Sequence, residues 1–176
     1  MLKEVELKNG QTLMLRRVEE EDAEKIINYL NIVGGESDNL LFGENEFNKS
    51  IEEEKQFINN LDKSNNLMIV GLIDNNIVSI ANIGKSLRKR ISHNGEIAIS
   101  VKKEYWGIGV GYAVMNELIE FAKSNNIKNI SLGVKASNNK AIKLYKKCGF
   151  KEIGRHKDFF NLNGEFDDEI LMDLYL

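Results

Sequence analysis

The chain has 176 residues, no proline, a single cysteine and a formal net charge of −3. That length suits one domain spanning 1–176 with a real core, the slight negative charge disfavours a nucleic-acid partner, and one cysteine gives no disulfide framework. The opening MLKEVELKNG has no apolar signal core and no run approaches a membrane span, so a cytoplasmic protein without a membrane partner is expected.

In chain order, Thr12 to Arg16 reads as a first strand. Glu19 to Asp22 then places acidic residues where a helix dipole favours them. Ala23, Ile26, Ile27 and Leu30 give that helix its apolar face, and it should end near Val33-Gly34-Gly35. Glu36 to Asn48 is irregular. Ser50 and Glu53 form a capping-box pattern ahead of a second helix with Ile51, Phe57, Ile58 and Leu61 inward. Glu52 to Glu54 reads as a solvated face. Strands at Leu67 to Ile73 and Ile77 to Asn82 flank the hairpin turn Asp74-Asn75-Asn76. Arg88 to Asn94 is a polar loop, and its His93 reads as structural or solvated.

The stretch from Glu96 to Gly111, EIAISVKKEYWGIGVG, carries the first chemical signal. Ile97, Ile99 and Val101 alternate with Ala98 and Ser100, the period of a strand. Gly107, Gly109 and Gly111 follow, and then Val110, Val114, Leu118, Phe121 and Ala122 at helical spacing. A glycine-rich turn between strand and helix suits an anion, because the first N–H groups of a helix lack internal partners. Two nucleotide readings fail. The phosphate-binding pattern that ends in Gly-Lys-Ser/Thr does not occur. The third glycine also comes one position too early for a dinucleotide fold, and Lys128 to Ser131 offers no carboxylate. A merely tight connection is the plain alternative.

Asn129 to Val134 reads as the next strand. In VKASNNKAIKLYKKCGF, Asn138 opens a helix with Ala141, Leu144, Tyr145 and Cys148 on one face, and Gly149 ends it. Cys148 reads as a buried small hydrophobe. Phe150 to Arg155 and Asp168 to Tyr175 should be the last strands, with a loop from His156 to Asp167. The order β-α-α-β-β-β-α-β-α-β-β defines a mixed α+β sheet domain.

Together, Trp106-Gly107-Ile108-Gly109-Val110-Gly111 and the set Asn138, Ala141, Tyr145, Gly149 and Phe150 resemble the GCN5-related N-acetyltransferase (GNAT) superfamily. Its loop has the form R/Q-G-x-G-x-G/A, with Trp106 here replacing Arg or Gln. Its later signature is N-x-x-A-x-x-x-Y-x-x-x-G-F. The likeness runs from about Met68 to the C-terminus and is loose before that. It implies an acetyltransferase-type fold: a central mixed, mostly antiparallel sheet whose splayed central strands, here Glu96–Val101 and Asn129–Val134, are flanked by helices. The arm of acetyl-CoA would lie in the gap. The resemblance places cofactor contacts at Ile99, Val101, Trp106, Gly107, Ile108, Gly109, Val110, Gly111, Tyr112, Asn138, Ala141 and Tyr145. No metal is expected.

The activity it implies is direct acetyl transfer from the CoA thioester to a primary amine in a ternary complex. An alkylamine is protonated at pH 7, so a base is needed. Glu96 is the candidate, with a solvated strand-end carboxylate as the plain alternative. The Val101 N–H would polarise the thioester carbonyl. Tyr145 would give a proton to the leaving thiolate; otherwise it is a core tyrosine. Asn138 can serve both as N-cap and as a cofactor contact. By the same resemblance, Glu20 to Leu61 and His156 to Asp167 wall the acceptor site. Their acidic residues Glu36, Asp38, Glu44, Glu46, Asp158, Glu165 and Asp167 favour a cationic amine. A polyamine or other small amine, an amino acid and a protein N-terminus all stay open. So do a homo-oligomer and a silent acyl-CoA-binding sensor module.

Overall fold

The structure is a computed structural model that describes residues 2–61 and 66–176. Its strands are β1 (Leu2–Glu6), β2 (Thr12–Arg17), β3 (Leu67–Ile73), β4 (Asn76–Lys85), β5 (Asn94–Val101), β6 (Asn129–Lys135), β7 (Lys151–Leu162) and β8 (Glu165–Tyr175). The helices are α1 (Ala23–Glu36), α2 (Ile51–Leu61), α3 (Val110–Ser124) and α4 (Asn139–Lys147). The strands form one sheet in the order β1-β2-β3-β4-β5-β6-β8-β7. Every neighbouring pair is antiparallel except β5 and β6. The mixed α+β sheet expected from the sequence is therefore present. Among the described residues, no helix is long and apolar enough to cross a membrane.

Strand alternation sorts the core onto two faces. Ile97 on β5, Ile130, Leu132 and Val134 on β6, and Ile170 and Met172 on β8 pack with Val114, Leu118 and Ala122 of α3 and Tyr145 of α4. Each large aliphatic side chain fully buried there stabilises the fold by about 1.5–3 kcal/mol. On the opposite face, Ala23, Ile26, Tyr29 and Val33 of α1 and Ile58 and Leu61 of α2 cover Met68, Val70, Leu72, Ile77 and Ile80. The helical face read from the sequence is partly displaced: Ile51 and Phe57 are over a third exposed, whereas Tyr29 is buried. Glu54 is also buried, not solvated, and pairs with Lys49 at 3.2 Å. Lys49 Nζ lies 4.4 Å from the Phe57 ring centroid, so the ring packs against the cation of this pair instead of the core.

Two further expectations need correction, whereas α1 ends at Glu36, one residue past the glycine pair expected to stop it. A Cβ at Gly34 would collide with the main chain at Gly43, so that glycine also admits a neighbouring chain segment. The strand β1 precedes the one expected at Thr12. The segment from His156 to Asp167 is a continuous part of the β7–β8 hairpin, not a loop. It is irregular between His156 and Phe160 and turns at Asn163-Gly164, both at positive φ. Other local signals hold: Ser50 and Glu53 complete their reciprocal cap, and Asp74 and Asn75 turn the β3–β4 hairpin at φ of 50° and 62°.

The start of α1 is pinned to β2 by Asp22, which accepts from the Arg16 guanidinium at 2.6 and 2.8 Å and from the Glu19 N–H at 2.9 Å. Burial raises the Asp22 pKa, but the Arg16 and Glu19 bonds outweigh that and hold it below the usual carboxylate range. Asp22→Ala leaves Arg16 partly buried without its partner and should destabilise by about 3 kcal/mol near pH 7. Because the folded-state pKa is depressed, the contribution is complete above the unfolded value near 4 and is lost as pH falls below it. Denaturant titrations of both proteins at pH 7 and pH 3 should show the gap narrowing in acid.

Candidate active site

The pairing of β5 with β6 covers only Asn94↔Asn129, Gly95↔Ile130 and Glu96↔Ser131. Beyond it the strands part, while β5 stays paired with β4 as far as Val101↔Ser79 and β6 with β8 as far as Lys135↔Glu169. The Lys102 N–H donates to Val78 O on β4 at 2.9 Å. By strand alternation the N–H groups of Ile99 and Val101, beyond the last β5–β6 pair, then turn the other way, into the opening. The result is a cleft of about 760 Å³ that cuts through the sheet. Buried main-chain donors and acceptors nearly always find partners, so an opened strand edge calls for a ligand that supplies them.

Trp106 braces one rim. Its Nε1–H donates to Val101 O at 2.7 Å, which occupies that carbonyl and leaves the Val101 N–H side clear. The loop beyond is fixed by Lys8, whose N–H donates to Ile108 O at 3.0 Å. Gly107 and Gly109 adopt φ of 81° and 113°, a region glycine enters without strain. Gly111 serves differently: a Cβ there would come within 3.0 Å of Leu144, so this glycine lets α3 approach α4. The first α-helical bond of α3 runs from the Ala113 N–H to Gly109 O at 3.0 Å. The N–H groups of Val110, Gly111 and Tyr112 lie ahead of it with no intrahelical acceptor, at the positive end of the helix dipole.

The second motif meets the first across the cleft. Asn138 caps α4 by accepting from the Ala141 N–H at 3.2 Å, and both residues line the opening with Tyr145. Gly149, at φ of 97°, closes the helix. Tyr145 packs against Phe150 with ring centroids 6.1 Å apart. Burial, and then the neighbouring Cys148, push its hydroxyl up to about 12, so it stays protonated. Among the described residues that hydroxyl has no hydrogen-bond partner. Cys148 is half-buried, and burial raises its thiol pKa.

Ile97, Ile99 and Val101 face α3, so Glu96, Ala98 and Ser100 face the α1 side, where the Tyr29 hydroxyl lies 3.1 Å from Ser100 Oγ. Glu96 is exposed at the head of the opening. Glu96 and Tyr145 thus reach the cleft from opposite faces of the sheet. Of the acidic residues expected to wall the acceptor side, Glu36 lines the cleft, where its carboxylate accepts from the Lys103 N–H at 2.7 Å. Glu46 caps the Gly43 N–H and Asp167 the Ser137 N–H. Asp38, Glu44, Asp158 and Glu165 are not among the lining residues.

Two features were missed in the sequence. Lys140, Lys143 and Lys147 line the cleft together with Lys8. Lys140 Nζ sits 5.4 Å from the Trp106 ring centroid and Lys147 Nζ 4.3 Å from that of Tyr112, beside the glycine turn. Their i, i+3, i+7 spacing on α4 was a legible signal. Glu169 on β8 also lines the cleft, and nothing in the local sequence marked it.

Residues 37–150 match the Acetyltransferase (GNAT) family, and the chain belongs to it. It is 35% identical over 105 residues to the L-amino acid N-acetyltransferase AaaT of Escherichia coli, a match covering 59% of this chain and 65% of that protein. It is 32% identical over 79 residues to the spermidine N(1)-acetyltransferase of Vibrio cholerae, covering 44% and 46%. The chain therefore spans between about half and two thirds of these curated relatives. A crystal structure of a GNAT-family acetyltransferase from Streptococcus pneumoniae superposes with a TM-score of 0.89 at 30% identity, covering 93% of this chain and 99% of that one.

The unpartnered hydroxyl of Tyr145 gives a prediction independent of any activity. Tyr145→Phe removes no hydrogen bond and keeps the packing on Phe150. Its unfolding free energy should stay within about 0.5 kcal/mol of wild type, or rise. Denaturant titration measures this directly.

Proposed function

We propose that the protein is an acetyl-CoA-dependent N-acetyltransferase that moves the acetyl group directly to a primary amine in a ternary complex. The observation that carries this reading is the opened β5–β6 seam, with a helix N-terminus at one rim and the Tyr145 hydroxyl inside it. The amide-bearing arm of CoA would pair with the main chain of Ile99 and Val101. The pyrophosphate would rest on the turn from Trp106 to Tyr112, where Gly107, Ile108, Gly109, Val110 and Gly111 contribute backbone only; the Val110 side chain is buried in the core. Lys140 and Lys147 add positive charge there, and Asn138 and Ala141 border the arm.

Glu96 takes the proton of the incoming ammonium, directly or through water. The amine nitrogen then attacks the thioester carbon. The Val101 N–H steadies the oxyanion, the C–S bond breaks as Tyr145 gives its proton to the sulfur, and the second proton leaves the attacking nitrogen to restore the tyrosine. The high pKa of Tyr145 keeps it a neutral donor before the thiolate forms.

Charge sorting supports a cationic acceptor. Lys8, Lys140, Lys143 and Lys147 border the cofactor side, whereas Glu36, Glu96 and Glu169 border the other. Among the described lining residues, no basic side chain lies on the carboxylate side. An acceptor with its own α-carboxylate would find no counter-charge there. The arrangement favours polyamines and peptide N-termini over free amino acids, and a cytoplasmic setting accords with such substrates.

Thiol release from acetyl-CoA should be followed with spermidine, alaninamide and alanine. Turnover with spermidine or alaninamide is expected; tight CoA binding without thiol release for any amine would instead favour the sensor reading. With the best acceptor, Tyr145→Phe should lower kcat about 10²–10⁴-fold with little change in acetyl-CoA affinity. Glu96→Gln should slow the reaction most at neutral pH and least at high pH, where free amine is abundant. A kcat for Tyr145→Phe within about threefold of wild type in single turnover would remove the tyrosine from the chemistry.

A further inference from the structure

A second carboxylate reaches the cleft from the far strand of the opened seam. Ile170 and Met172 of β8 belong to the α3-facing core, so Glu169 points to the other face, the one that carries Glu96. On β6, Gly133 lies on the same face, two residues beyond the last β5–β6 pair. The Glu169 carboxylate lies over Gly133 so closely that any Cβ at 133 would collide with Oε1. With a side chain there, the carboxylate could not occupy this place beside the seam.

The carboxylate is also held. His156, directly opposite on β7, places Nδ1 2.9 Å from Glu169 Oε2. The imidazole in turn stacks on Phe159, with centroids 5.6 Å apart at 24°. The irregular register between His156 and Phe160 keeps that ring folded back over the histidine. The Glu169 side chain is 12% exposed, whereas Glu96 is exposed. One carboxylate is thus preset and mostly shielded, while the other is open to solvent.

We propose that Glu169, oriented by His156, is the anchor for the positive charge of the acceptor, leaving Glu96 to take the proton. The assignment rests on the acetyltransferase reading of the cleft. A fixed, largely desolvated carboxylate binds an ammonium group more strongly than a solvated one, because less ordering is needed and water screens it less. Its partner lone pair is already used by His156, which sets the remaining oxygen, Oε1, toward the Gly133 gap. His156 is a positioning residue: it acts through Glu169. The acceptor class that fits is an amine bearing positive charge when it binds, such as spermidine or the N-terminus of alaninamide.

Steady-state kinetics with acetyl-CoA, and whichever of spermidine and alaninamide the wild type turns over faster, tests the proposal. Glu169→Gln should raise the acceptor KM about 10- to 100-fold, the loss of one charge-assisted bond, while the KM for acetyl-CoA stays unchanged. His156→Phe should raise the acceptor KM in the same way, and His156→Asn, which keeps a donor near the Nδ1 position, should recover much of it. An acceptor KM within threefold of wild type for Glu169→Gln overturns the anchor while leaving the transferase reading intact. Equal rises in both KM values together with a lowered Tm also overturn it, because that marks a brace between strands. Absence of thiol release by the wild type with every amine contradicts the transferase reading itself, and the anchor falls with it.

Discussion

The site depends on one constraint in the sheet: β5 and β6 pair over three residues and then separate. Each remains bonded to its outer neighbour along its length, so the separation is not fraying. The left half of the sheet is tied together through β4 and the right half through β8, with α3 and α4 filling the angle beneath them. Gly111 allows those helices to meet at Leu144, which brings the glycine turn and the Asn138–Tyr145 helix to a common cleft. Opening the seam would ordinarily leave main-chain groups unsatisfied in a partly dry place. On the proposed reading, a ligand with alternating amides would resolve that conflict and make the defect in the sheet the functional feature.

Charge is distributed to match. The lysines gather at the glycine turn, two of them over aromatic rings, where the helix dipole already favours an anion. The carboxylates gather on the opposite face, supplied by α1, β5 and β8. On the proposed reading, the two faces of the cleft would select opposite charges, and the reacting groups would meet between them, where Val101 and Tyr145 lie. The Trp106 indole links the halves of this arrangement: it closes the Val101 carbonyl at one edge and offers its face to Lys140 at the other.

Much of this was readable from residue patterns because the signals were local. Strand alternation in Ile97–Val101, glycine spacing, the Asn138 cap and the Asp74–Asn75 turn each depend on neighbours within a few positions. What was not readable depended on distant contacts. Glycines at 34 and 35 read correctly as a helix end, but not as the place where the main chain at Gly43 packs against it. Glu54 belongs to an acidic run, and only Lys49 and Phe57 reveal it as buried. The stretch from His156 to Asp167 is polar enough to pass for a loop, yet pairing with β8 makes it a strand, and that pairing is what places His156 against Glu169. Among the site features that were missed, the lysines of α4 alone had a local signal, masked by the general abundance of lysine.

The central claim is that the opened seam itself holds the cofactor. Backbone amide hydrogen exchange with and without CoA addresses it most directly. The amides of Ile99, Val101, Val110, Gly111 and Tyr112 should exchange readily alone and become protected on adding CoA, while that of Lys102, already bonded to Val78, should change little. Protection confined to other surfaces, with these five amides unchanged at saturating CoA, would contradict the account.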